Sequence, residues 1–236
     1  MGQIYLVRHG QASFGAANYD QLSKLGFEQA RLLGQWFGNC HQTFEKVVCG
    51  GMVRHRQTAD SCMGALPRQA LVDTEWVTDP GFAEFNHVEV IVKHCPEFAS
   101  PEQFKAYVAQ QPDQKYVFEH VFVAAMERWM SGRHDGDYTE TWQGFQDRCA
   151  AALKRLTDDA ETAESSTIVF TSGGVISALC KHLLELPDRK TMELNWTIAN
   201  GSVTKLQHRR GRTSLAYLNN FSHLEWLGEN GSVTYR

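Results

Sequence analysis

Ile4-Tyr5-Leu6-Val7-Arg8-His9-Gly10 is the stretch that decides how this chain is read. Four apolar, β-favouring residues follow one another without alternation. That pattern predicts a short strand buried on both faces, as in a sheet covered by helices. The strand runs out at Arg8-His9-Gly10, where a cation, an imidazole and a turn residue meet. Two later segments repeat the design. Lys46-Val47-Val48-Cys49 runs into Gly50-Gly51, and Thr167-Ile168-Val169-Phe170-Thr171 runs into Ser172-Gly173-Gly174.

Helical patterns follow each strand. Leu22, Leu25, Leu32, Leu33, Trp36 and Phe37 recur at helical spacing behind Ser23, a predicted N-cap. A second helix is expected from about 53 through 63, and a third after Gly174, ending before Pro187. Residues 201–207 and 214–218 read as a closing strand pair around Arg209-Arg210-Gly211-Arg212. Strand–turn–helix units of this kind predict a three-layer α/β/α sandwich with a mostly parallel central sheet. In such sheets ligands bind beyond the carboxyl ends of the strands. The three strand ends would therefore bring distant residues to one rim.

Between residues 84 and 139 the texture changes. Ser100-Pro101-Glu102-Gln103 is a capping box, and helices are expected on either side of Pro112. The segment carries Tyr107, Phe122 and Trp129, with Trp142 just beyond. We read one domain over 1–236, with a helical, lid-like insertion at about 86–135.

The chain has 236 residues, 42% of them hydrophobic, enough for a substantial core. A formal net charge of -4 argues against a broad electrostatic grip on nucleic acid. Any anion must be held by a few local cations. Six scattered cysteines without a CxxC pair read as reduced thiols, and the histidines lack metal-ligand spacing, so no metal or cofactor is expected. No membrane-length apolar run and no signal-like start are visible, which predicts a soluble, cytoplasmic protein without nucleic-acid or membrane partners. Oligomeric state is not readable.

The rim residues fit phosphoryl transfer. That reaction needs a nucleophile, cations matching the phosphoryl oxygens, and an acid for the leaving oxygen. A neutral His9 can attack, while Arg8 and Arg54 offer planar forks for phosphate.

At this point the sequence resembles the histidine phosphatase superfamily, the phosphoglycerate-mutase-like proteins with an RHG motif. The resemblance is carried by Leu6-Val7-Arg8-His9-Gly10 and by Arg54-His55-Arg56-Gln57-Thr58-Ala59. Asp20-Gln21-Leu22-Ser23-Lys24-Leu25-Gly26, Gly81-Phe82-Ala83-Glu84-Phe85 and the N-x-x-x-H-L stretch ending at His223-Leu224 extend it. It implies that His9 is the nucleophile, that Arg8 and Arg54 bind phosphate, and that Glu84 is the general acid and base. It also implies a phosphomonoesterase acting on a small phosphorylated metabolite.

One position departs from the pattern. Ser172 stands where the family usually has a second histidine, so Ser172 and Gly173 are expected to meet the phosphate with a hydroxyl and helix amides. His87 is the first candidate to supply the missing imidazole. His55 is expected to point elsewhere, because it neighbours Arg54 on a helix. Two alternatives stay open: a phosphate-ester-binding protein with weak turnover, and a mutase moving phosphate between hydroxyls.

Overall fold

The computed structural model describes residues 1–13, 20–67, 74–98, 100–158, 165–209, 211–226 and 231–235. Arg210, in the predicted basic turn, lies outside them.

The chain forms two compact units. The first comprises residues 1–84 and 148–236, the second residues 85–147. The first unit is built on a six-stranded sheet: β1 (Gly2–Arg8), β2 (Lys46–Cys49), β3 (Glu75–Thr78), β4 (Ser166–Thr171), β5 (Val203–Arg209) and β6 (Arg212–Asn220). The spatial order is β3-β2-β4-β1-β5-β6. β1, β2, β3 and β4 run parallel, and β5 and β6 are antiparallel additions. Helices cover both sides of the sheet, as the buried strands require.

β1 sits in the interior of the sheet, between β4 and β5, with Ile4, Tyr5, Leu6 and Val7 all buried. Alternation divides its side chains between two cores. Tyr5 and Val7 join Val47, Cys49, Ile168 and Phe170 under α1 (Lys24–Asn39) and α2 (Val53–Gly64). Those helices supply Leu33, Phe37, Ala59, Cys62 and Met63 to the same core. Full burial of each large apolar side chain contributes on the order of 1.5–3 kcal/mol. α1 starts as expected, with the Ser23 side chain accepting from the Gly26 amide. Trp36, read as part of its apolar stripe, is instead exposed.

After β4 come α7 (Gly173–Leu184) and α8 (Asp188–Thr197), and α9 (Ser222–Glu225) follows β6. All six cysteines are free, and five are buried. Burial raises the Cys180 thiol to about 12, which leaves it inert at neutral pH.

The second unit is helical: α3 (His87–His94), α4 (Pro101–Ala109), α5 (Gln114–Met130) and the start of α6 (Trp142–Asp158). Ser100 and Asp113 cap α4 and α5. Its core is aromatic. Trp129 packs 4.9 Å from Phe85 and 5.2 Å from Trp142, ring centre to ring centre, and its indole N–H donates to the Glu140 carbonyl at 2.9 Å. Tyr107 is exposed.

Candidate phosphoryl-transfer site

The site grows from the carboxyl end of β1. There the backbone of His9 is held from two directions. Its N–H donates to the Thr171 carbonyl at 2.9 Å, continuing the β1–β4 ladder. Its carbonyl accepts from the Asn200 side chain at 3.3 Å and from the Gly201 amide at 3.2 Å.

Gly10 explains why the turn follows at once. A Cβ there would lie 2.2 Å from the Gly26 carbonyl oxygen, and a Cβ on Gly26 would lie 2.2 Å from that of Gln11. The β1–α1 corner is thus two stretches of main chain in direct contact, and glycine is required on both sides.

The polar residues of the other segments lock onto this corner. Thr58 accepts from the Gly10 amide at 3.1 Å and donates to the Arg54 carbonyl at 2.7 Å. Gln57 accepts from the Leu22 amide at 2.8 Å, while Ala59 lies in the core. Asp20 takes the place of an N-cap for α2, accepting from the Val53 and Arg54 amides at 3.0 and 3.4 Å, and it also binds Arg54 Nη1 at 2.9 Å. An acid at a helix N-terminus is favourable there.

His9 is nearly buried and its ring is anchored. Nδ1 lies 2.8 Å from the Gly10 carbonyl, which can only accept, so Nδ1 carries the proton. Nε2 keeps its lone pair and receives Arg54 Nε–H at 3.1 Å. Burial first, then the charges of Arg54 and Arg8, hold His9 well below the usual imidazole range. The ring is therefore neutral at pH 7, as a nucleophile must be.

Arg8 leaves the same strand and donates through Nη1 to the Ile198 carbonyl. Asn219 supports that acceptor segment: its side chain accepts from the Ala199 amide at 2.8 Å and donates to the Thr197 carbonyl at 2.7 Å. Glu84 approaches from the segment after Pro80–Phe82, where its carboxylate accepts from the Gly174 amide at 3.1 Å. That segment is fastened by Thr171, whose hydroxyl donates to the Phe82 carbonyl at 2.7 Å. Arg148 Nη1 also reaches the Pro80, Gly81 and Ala83 carbonyls.

The structure thus brings Arg8, His9, Arg54, Glu84, Ser172 and Gly173 to one end of the sheet. A Cβ on Gly173 would stand 3.5 Å from Arg8 Nε, which places the α7 N-terminus beside that guanidinium. His87 lies in the helical unit, in the first turn of α3 behind its Asn86 cap. Among the described residues no cluster of His, Cys, Asp and Glu could hold a metal, and no helix is long and apolar enough to cross a membrane.

One expectation is overturned. His55 does not point elsewhere: its Nε2 lies 2.7 Å from Ser172 Oγ, and its ring centre is 5.7 Å from that of His9. The helical argument fails because α2 starts at the rim. At a helix end that abuts a site, successive residues can face it from different sides. The signal was present in the sequence, as a histidine inside the R-H-R-Q-T-A segment of a chain lacking one at position 172.

Three of the four buried histidines, His9, His55 and His223, predict acid sensitivity most strongly. Burial lowers His55 to about 3 and His223 to about 4, and His9 also lies well below its ordinary value. In the unfolded chain all three titrate near ~6.5. As pH falls below that value, the unfolded state binds protons the folded state refuses, so stability is lost. The slope is ~1.4 kcal/mol per pH unit for each such histidine. Denaturant titrations at pH 7.5 and pH 5 should differ by several kcal/mol; equal midpoints would show that these rings are not buried and neutral.

Comparison with known proteins bears on the family and the fold. The model of the histidine phosphatase superfamily (branch 1) matches residues 4–117 and 110–221. Among solved structures, the chain is similar to phosphoglycerate mutase from Bacillus anthracis (18% identity, 97% of each chain, TM-score 0.65). It is also similar to an H9A mutant of phosphoserine phosphatase from Entamoeba histolytica in complex with phosphoserine (19% identity, 95% of this chain and 100% of that one, TM-score 0.63). A third is a putative alpha-ribazole-5'-P phosphatase from Escherichia coli (17% identity, 94% and 98%, TM-score 0.62). At such identities these neighbours establish a shared fold. No curated protein matches by sequence.

Proposed function

The chain belongs to the histidine phosphatase superfamily (branch 1), and on that premise we propose that it is a phosphomonoesterase, hydrolysing a small phosphorylated metabolite by way of phosphohistidine at His9. The observation that carries this reading is the state of the His9 ring. Its Nδ1 proton is committed to the Gly10 carbonyl, and its Nε2 lone pair faces Arg54.

In the first step Nε2 attacks phosphorus and the bond to the ester oxygen breaks. Glu84, entering protonated as the substrate's charge raises its pKa, gives its proton to the departing alcohol. In the second step Glu84 takes a proton from water, the water oxygen attacks the phosphohistidine, and phosphate leaves. Arg8 and Arg54 neutralise charge on the phosphoryl oxygens throughout. Arg54 must first release Nε2, so phosphate entry exchanges one acceptor of its Nε–H for another. Free cysteines fit a cytoplasmic location.

The test is direct. The protein is quenched during turnover of p-nitrophenyl phosphate, and the phosphoenzyme is examined. Acid-labile, base-stable phosphate mapped to His9 is expected. Steady hydrolysis with phosphate on another residue, or with none, would sink the mechanism.

A further inference from the structure

Behind the nucleophile two buried polar side chains face each other across the sheet end. His55, in the first turn of α2, and Ser172, immediately before α7, both have 0% exposure, and their Nε2 and Oγ are 2.7 Å apart. A serine in the N-cap place ordinarily accepts from an amide of its own helix. Ser172 makes no such cap bond. Its hydroxyl is committed to His55, and the first-turn amides of α7 stay available to an acceptor such as the Glu84 carboxylate on Gly174.

We propose that His55 is a positioning residue of the phosphate site, holding the Ser172 hydroxyl and taking up a proton as a phosphoryl group enters, so that Ser172 becomes a donor to that group. The proposal rests on the reading of His9, Arg8 and Arg54 as the phosphate site.

The proton balance is simple. In the empty site burial keeps the ring neutral, and we assign its one proton to Nδ1. Nε2 then accepts from the Ser172 O–H. When a dianion binds, Nε2 takes one proton from solvent. It then donates to Ser172 Oγ, and the serine hydrogen rotates toward a phosphoryl oxygen. Release of the anion returns the proton.

The groups that face His55 decide whether this happens near neutrality. Burial first, then Arg54 on its own helix, hold the ring at about 3, and His9, just past β1, is the neutral ring beside it. Arg8 on β1 adds positive charge to the same end of the sheet, and Glu84 brings a carboxylate to the start of α7. A dianion at roughly the His9–His55 ring separation, in an effective dielectric of about 20, lifts an imidazole by roughly four pH units. That carries the ring from about 3 to about neutrality. A monoanion does half as much and leaves it neutral.

A double-mutant cycle on hydrolysis of p-nitrophenyl phosphate tests the pair: His55→Ala, Ser172→Ala and both together. Each single change should lower kcat/KM by about 10²-fold, and the double should be no worse than either, because the residues act as a unit. Thermal melts confirm that each variant folds. Adding Ser172→His to His55→Ala should restore at least roughly tenfold, since a new imidazole fills the vacated space.

The same variants are titrated with sulfate, which needs no turnover and keeps its charge from pH 5 to 8. Calorimetry in two buffers of different ionisation enthalpy counts the protons. Wild type should take up more protons than His55→Gln, which keeps a hydrogen-bond acceptor but cannot be charged. Losses that multiply across the cycle, or equal proton uptake in His55→Gln and wild type, would overturn the pair while leaving phosphohistidine catalysis standing. Sulfate-linked uptake in a protein that hydrolyses nothing would do the reverse.

Discussion

Replacing His9 with alanine is expected to remove the proposed phosphatase activity by about 10⁴-fold or more, together with all phosphoenzyme, because the proposed nucleophile is gone. The fold should survive. What the structure grips at this position is main chain: the amide bonds Thr171, and the carbonyl is held by Asn200 and Gly201. The side chain contributes one bond to the neighbouring Gly10 carbonyl and one to Arg54. Sulfate affinity should change by only a few-fold, since both arginines remain. Binding retained without turnover is the pattern to look for in calorimetry beside a rate assay. Activity near wild type in His9→Ala would end the phosphohistidine reading.

Arg54→Ala is the second large effect. Arg54 is buried, with Nε on His9 and Nη1 on Asp20, so its guanidinium is fixed in plane before any anion arrives. Removing a preorganised charged donor of this kind costs about 2.7–4 kcal/mol of transition-state stabilisation, or about 10²–10³ in rate. Arg54→Lys should recover little of it, because a point charge cannot reach His9 and Asp20 together. Asp20→Asn should fall between wild type and Arg54→Ala. It keeps an oxygen for the α2 amides and loses the charge that orients the guanidinium. Sulfate binding should weaken in parallel with kcat/KM in Arg54→Ala; an unchanged sulfate affinity would show that this arginine does not meet the anion.

Much of this was legible because the chemistry sits where apolar runs end. β1, β2 and β4 announce themselves as uninterrupted apolar segments, and each stops at a signature residue. β3 was not legible. Its Glu75-Trp76-Val77-Thr78 is an edge strand with three exposed side chains, so no burial pattern marks it. α6 was legible by its spacing, since Trp142, Phe145, Cys149, Leu153 and Leu156 form a full apolar stripe, whereas α8 buries only Thr191 and has no stripe to mark it. β5 and β6 extend past the expected residues because a hairpin ladder continues through polar positions such as His208 and Arg212. In the site, the single-residue assignments followed motifs. The facing of His55 and Ser172 depends on how two helix starts meet in space, and no spacing rule along one helix contains that. The same limit applied to Asp20, whose carboxylate acts on a helix that begins more than thirty residues later.

The order of strands also bears on how the protein is made. β1 leaves a ribosome well before its two sheet neighbours, β4 and β5, residues 166–171 and 203–209. Until those segments emerge, an apolar strand has both hydrogen-bonding edges open. The segment leading to His9 is therefore made before its sheet partners and secured only after them. Such delayed long-range pairing leaves a nascent chain exposed to wrong partners. The competence of His9 thus becomes a late event in the birth of the molecule, fixed only when the Asn200–Gly201 turn closes over its carbonyl.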